Sequence, residues 1–119
     1  MPNRPKPTTK DIHALHAMMC QAIADPIRIA VLYELSDNAE HSVNELVAAL
    51  NLPQATVSRH LRTLRDRGLV LARRDSTFVF YRLTDARVLD ALDLIRSVQS
   101  DILSQRHQII QTPPPRGSE

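Results

Sequence analysis

The chain of 119 residues has no tryptophan, two glycines and one cysteine, Cys20. A single thiol cannot close a disulfide within the chain, and it cannot build a tetrathiolate zinc site. No Gly-rich phosphate loop and no metalloenzyme motif occurs, so no enzyme is expected. The N-terminus lacks the apolar core of a signal peptide. No apolar run approaches the roughly 18 residues that a membrane helix needs. The expectation is an intracellular, cytoplasmic protein. Excess charge of one sign is also missing: the formal net charge is only +2, although the pI is about 9.1. The placement of charge therefore matters more than its sum. Between Arg59 and Arg74 there are six arginines against one acid, Asp66.

The length suggests one domain with a modest core, which makes pairing with a second copy plausible. "MPNRPKPTTK" has no apolar periodicity and reads as a flexible arm over residues 1–10. "TPPPRGSE", residues 112–119, reads as a disordered tail, because Pro113 to Pro115 cannot continue a helix. The folded domain is expected over residues 11–111.

Within it, Ile12, Leu15, Met19, Ala22 and Ile23 recur at helical spacing and predict a first helix from Lys10 to Ala24. Asp25 caps a second helix with Pro26 at its first position, where the missing N–H costs nothing. Ile27, Ala30, Val31 and Leu35 are its apolar stripe. Ser42, followed three residues later by Glu45, is a capping box that opens a third helix. The segment "LPQATVSRHLRTLRDRGLV" supplies a fourth helix with Val57, Leu61 and Leu64 inward and Gly68 as its stop. Two strand-like runs then flank Asp75, Ser76 and Thr77 as a β-hairpin. A last long helix carries Val88, Leu92, Ile95, Val98 and Ile102 on one stripe. The fold class is mainly α with a small β-hairpin, in the order α-α-α-α-β-β-α. A pair of short helices followed by a hairpin is the winged helix-turn-helix pattern.

In such a fold the second helix of the pair enters the major groove and its first residues meet base edges. With Val57, Leu61 and Leu64 turned inward, Gln54, Thr56, Ser58, Arg59, His60 and Arg62 are left on the outer side. Gln pairs with adenine, Arg with guanine, and Ser or Thr with either, while longer cations reach phosphates. Arg73 and Arg74 recur on the hairpin, where a wing meets the backbone. The expected partner is double-stranded DNA. The hairpin aromatics Phe78, Phe80 and Tyr81 read as packing of the wing. The rival reading is a winged-helix module for protein or RNA, which has no reason to keep Gln54, Ser58 and Arg59 outward. Ser58 and His60 stand two apart on a helix and diverge, so they make no nucleophile–base pair.

"AIADPIRIAVLYEL", "LPQATVSRHLRTLRDRGLV" and "RRDSTFVFYRLTD" resemble the ArsR/SmtB family of bacterial winged-helix repressors. The likeness covers Met18 to about Asp90, with three separated motifs in order. It implies a homodimer built on the first and last helices, and binding to an imperfect palindrome that a metal or another signal releases. One departure is Pro53, where the family often has Ser before the Gln.

The family's two metal sites do not carry over. The positions of the arsenic-type thiolates fall on Ser42, Asn44 and Val47, and those of the zinc-type site on Asp85, Arg87, Val98 and Asp101. His13, His16 and Cys20, at i, i+3 and i+7 of the first helix, remain as one set of donors, with His107 of a second copy to complete it. Imidazole suits nickel, zinc or copper. The plainer alternative, which the sequence favours, is that these histidines are simply exposed and Cys20 is a small buried hydrophobe.

Overall fold

The computed structural model describes residues 3–111. The expected tail, residues 112–119, lies outside them. Contacts group the chain into two compact units, one ending at Ala86 and one beginning at Arg87.

The first unit begins with α1, Thr9–Leu15. Thr8 caps it, its hydroxyl accepting from the Asp11 N–H at 3.1 Å, so the expected arm gives way to helix at Thr9. The single helix expected up to Ala24 is interrupted. A π-turn, His16–Cys20, follows α1 and closes with the Gln21 N–H donating to the His16 carbonyl at 2.9 Å. Such a wide turn inserts one residue into the helical period, which apolar spacing alone does not reveal.

The next helix, α2, runs Pro26–Glu34. Asp25 accepts from the Ile27 N–H at 2.8 Å, and that bond at the helix start holds its carboxyl below the ordinary value of 3.8. Val31, Leu32 and Leu35 are buried. A two-residue strand, β1, His41–Ser42, leads into α3, Val43–Leu50. Ser42 Oγ accepts from the Glu45 N–H at 3.1 Å, as the capping motif predicts. The Glu45 carboxylate turns instead to the His41 ring. After a left-handed Asn51 (φ 54°), α4 runs Gln54–Asp66. Gly68, at φ +84°, ends it: its N–H bonds the Arg65 carbonyl and the Leu69 N–H bonds that of Leu64.

Strands β2, Val70–Asp75, and β3, Phe78–Leu83, form the wing, joined by Ser76 and Thr77 with Ser76 at φ 58°. The expected hairpin is in fact part of a three-stranded antiparallel sheet in the order β1-β3-β2, with His41 opposite Tyr81 and Ser42 opposite Phe80. A two-residue strand is too short to show in a period-2 pattern. The core of this unit joins Val31, Leu32, Leu35, Leu46, Val57, Leu61, Leu64, Leu69 and Val70.

The second unit is α5, Arg87–Gln111. Leu89 and Leu92 are buried, whereas Leu94, Ile95, Val98, Ile102 and Leu103 are exposed. Among the described residues no helix is long and apolar enough to cross a membrane.

The contrast between Leu61 and Leu71 tests this core. Leu61 is fully buried and Leu71 is 43% exposed. Leu61→Ala should lower the unfolding free energy by about 2–5 kcal/mol. Leu71→Ala should stay within about 0.5 kcal/mol. Urea titration followed by circular dichroism measures both.

Candidate nucleic-acid interface

The side of α4 facing the core fixes what the other side can offer. Val57, Leu61 and Leu64 are fully buried, as their spacing predicts. Gln54, Arg59 and Arg62 are exposed, and Thr56 and Ser58 are half-buried beside them. His60, expected on the outer side, is buried at 6% exposure. It follows Val57 by three residues and precedes Leu64 by four, so helical geometry places it on the inner face. There its Nδ1 accepts from Arg28 Nη1 at 3.4 Å. The same guanidinium donates to the Ala22 carbonyl at 2.6 Å and to the Gln21 carbonyl at 3.0 Å. His60 therefore ties α4 to Arg28 of α2 and, through it, to the segment before α2, and its ring faces the core instead of the outer side.

No side chain caps α4. Pro53 precedes it at φ −59°, so backbone geometry starts the helix, as the departure at this position implied.

The wing separates two arginines that look equivalent in sequence. Successive residues of a strand point to opposite faces. Arg74, with Ala72, Val79 and Tyr81, lines a cleft of about 430 Å³ whose other wall carries Ser58, Arg62 and Arg65 of α4. Arg73 lies on the opposite face with Leu71, Phe80 and Arg82. There Arg73 Nε donates to Glu40 Oε2 at 2.7 Å, Asp75 stands at 3.8 Å, and the guanidinium sits 5.0 Å from the Phe80 ring centroid. Its charge is largely matched within the fold. Arg62 and Arg74 have no ion-pair partner among the described residues, and Arg65 has only the exposed Asp66 at 3.7 Å. A second cleft, about 280 Å³, brings Gln54 together with Asn44 and Thr77.

Sequence reading missed Arg65, although Ser58, Arg62 and Arg65 stand at i, i+4 and i+7. It also missed Arg28, whose partners lie 6 and 32 residues away, and Glu40 and His41, which sit in what reads as a loop.

The donors considered for a metal are all exposed: His13 in α1, His16 and Cys20 at the two ends of the π-turn, and His107 in α5. Cys20 is thus not the buried hydrophobe of the plainer alternative. The wide turn also removes Cys20 from the position two regular α-turns beyond His13. Among the described residues no three His, Cys, Asp or Glu side chains are grouped to hold a metal ion. The residues of one chain do not fit such a site.

A model of bacterial regulatory proteins of the arsR family matches residues 25–71. The HTH-type transcriptional repressor SmtB of Mycobacterium tuberculosis is 38% identical over 95 residues, covering 76% of this chain and 70% of that protein. The chain belongs to the ArsR family. The transcriptional activator HlyU of Vibrio cholerae is 38% identical over 78 residues, 66% of this chain and 71% of its own. Among solved structures, the homodimeric winged helix-turn-helix DNA-binding domain Mb0332 of Mycobacterium bovis has a TM-score of 0.67 at 26% identity, covering 85% of this chain and 92% of that one. These matches carry the winged helix-turn-helix assignment of α3, α4 and the β2–β3 wing.

The two wing arginines should differ in a salt titration. Arg74→Ala should reduce the slope of log binding constant against log salt by about one unit. Arg73→Ala should change the slope less, because Glu40 and Asp75 already balance its charge. Fluorescence anisotropy on random-sequence duplex at several salt concentrations reads both slopes.

Proposed function

We propose that this ArsR-family protein is a sequence-specific DNA-binding transcriptional regulator, a repressor that occupies an imperfect palindromic operator as a homodimer. The observation that carries the reading is the outer side of α4. Gln54, Arg59 and Arg62 are exposed there, and the first carboxylate along the helix is Asp66, at its end. A duplex presents acceptors in its major groove and anions along its edges, and this side chain set answers both. In this reading Gln54, Thr56, Ser58 and Arg59 meet base edges, while Arg62 and Arg74 meet phosphates. The reading assigns the chain no catalysis.

Dimerisation is supported by α5, where Ile95, Val98 and Ile102 are 48–57% exposed along one stripe. Apolar surface repeated at helical spacing and left uncovered marks an association face. A two-fold dimer presents its recognition helices about 34–36 Å apart, on successive major grooves. Sedimentation of the native protein at micromolar concentration should show a dimer. The pair Ile95→Glu with Val98→Glu should give a monomer that binds DNA weakly, and a tight-binding monomer would overturn the arrangement.

Base readout has its own test. Gln54→Ala should weaken binding to a selected operator by about 1–3 kcal/mol and binding to random duplex far less. Equal losses on both would move Gln54 to the phosphate-contacting group. Because relatives carry the names repressor and activator alike, a reporter behind the selected operator decides the sign; repression is expected. For the effector, nickel, zinc and copper are the metals that the available imidazoles favour. Calorimetry with nickel and zinc should show no tight binding by the native dimer, since His13, His16 and Cys20 form no ready ligand set. Tight binding abolished by His13→Ala with His16→Ala would instead establish a site there.

A further inference from the structure

His41 stands where three parts of the DNA-binding unit meet. It follows the α2–α3 turn, it belongs to β1, and it immediately precedes Ser42, which caps α3. Its ring is bracketed by two carboxylates. Nε2 lies 2.8 Å and 2.9 Å from the two oxygens of Asp37, and Nδ1 lies 2.9 Å from Glu45 Oε2. An ionised carboxylate only accepts, so both ring nitrogens must donate. That requires the imidazolium.

The charged ring closes a turn that needs closing. Asn38 within it has φ 60°, a left-handed conformation that a non-glycine residue adopts at a cost. Asp37 also accepts from the Ala39 N–H at 3.0 Å. With the turn closed, Glu40 reaches across the sheet to Arg73, and His41 and Ser42 pair with Tyr81 and Phe80 of β3. The segment from Asp37 to Glu45 thereby ties the start of α3 to both wing strands. The same wing forms one wall of the cleft lined by Ser58, Arg62 and Arg74.

We propose that His41, bridging Asp37 and Glu45 as an imidazolium, is a positioning residue that fixes the wing against the helix-turn-helix, so that DNA affinity falls as the ring loses its proton. This rests on the DNA-binding reading above and adds a regulation to it. Deprotonation leaves one nitrogen lone pair facing a carboxylate, and an attraction becomes a repulsion. The groups that face the ring are Asp37 from the turn and Glu45 from α3. From β3 it is opposed by Tyr81, its cross-strand partner, which brings neither carboxylate nor cation. Glu40, just before β1, is turned to Arg73.

The direction follows from these partners. Hydrogen bonding to Asp37 raises the His41 pKa above its ordinary 6.5; burial opposes it, and the Glu45 hydrogen bond with the two carboxylate charges adds to the rise. A group whose pKa is raised by folding contributes its stability fully below the unfolded value and loses it as pH rises through the folded value. The side chain is 20% exposed, so solvent screening moderates the effect without removing it.

The test is binding of a duplex selected from a random pool, read by anisotropy from about pH 6 to about pH 9, with native protein and His41→Gln. Native affinity should fall by about fivefold more than that of the variant across this range, the size expected for one net hydrogen bond at a partly exposed site. NMR titration of the intact protein should place the His41 ring above its ordinary value, and Glu45→Gln should move both that titration and the affinity midpoint downward. Parallel pH profiles for native and His41→Gln would overturn the proposal, as would a His41 ring that titrates at or below the ordinary value. If His41→Gln does not fold, the paired shift in Glu45→Gln decides. Absence of DNA binding at every pH would instead overturn the DNA-binding reading, while binding with no His41-dependent profile would overturn this inference alone.

Discussion

One side of α4 is dry, and the rest of the DNA-binding unit is arranged around that fact. Val57, Leu61 and Leu64 are fully buried, and burying a leucine or valine side chain contributes about 1.5–3 kcal/mol. Rolling the helix by one residue would expose those side chains and drive Arg59 or Arg62 into the core unpaired, which costs more still. The helix therefore has one orientation available. The outward direction of Gln54, Arg59 and Arg62 is a consequence of what is held inside, and so is the inward direction of His60.

His60 adds a polar contact to this apolar grip. Arg28 donates to its ring and to two carbonyls before α2. Arg67, just beyond α4, donates to the Ala17 carbonyl in the π-turn. The recognition helix is thus moored near its middle and at its end to the same N-terminal stretch. The wing is moored differently. It is tied to α3 through β1, by two residue pairs and the Glu40–Arg73 ion pair. Beyond the turn and core they share from Leu64 to Val70, helix and wing are each held by an attachment of their own.

Much of this was legible because it repeats with a period or depends on neighbours in sequence. The apolar stripe of α4, the Asp25–Pro26 start of α2, the Ser42 cap and the Gly68 stop each rest on residues within a few positions of one another, and each is found as read. What escaped depends on distance or on a single displaced residue. His60 was misplaced because its polarity was weighed above its spacing from Val57 and Leu64. The π-turn escaped because one added residue leaves composition unchanged. The separation of Arg73 from Arg74 needs strand alternation together with Glu40, 33 positions away. His41 was overlooked because its partners, at i−4 and i+4, straddle a turn and a helix start, where helical spacing is not an argument.

The wing's connection is only two residues, Ser76 and Thr77, between strands that pair from Val70 with Leu83 to Asp75 with Phe78. Six paired residues at a rise of about 3.4 Å give an arm of about 20 Å from root to tip. That is a little over half of the roughly 34–36 Å in one turn of duplex. An arm of fixed length and tight tip cannot stretch to follow a longer site. In the DNA-binding reading proposed above, the wing gives each subunit's footprint an outer edge set by the hairpin's residue count rather than by the bases beneath it.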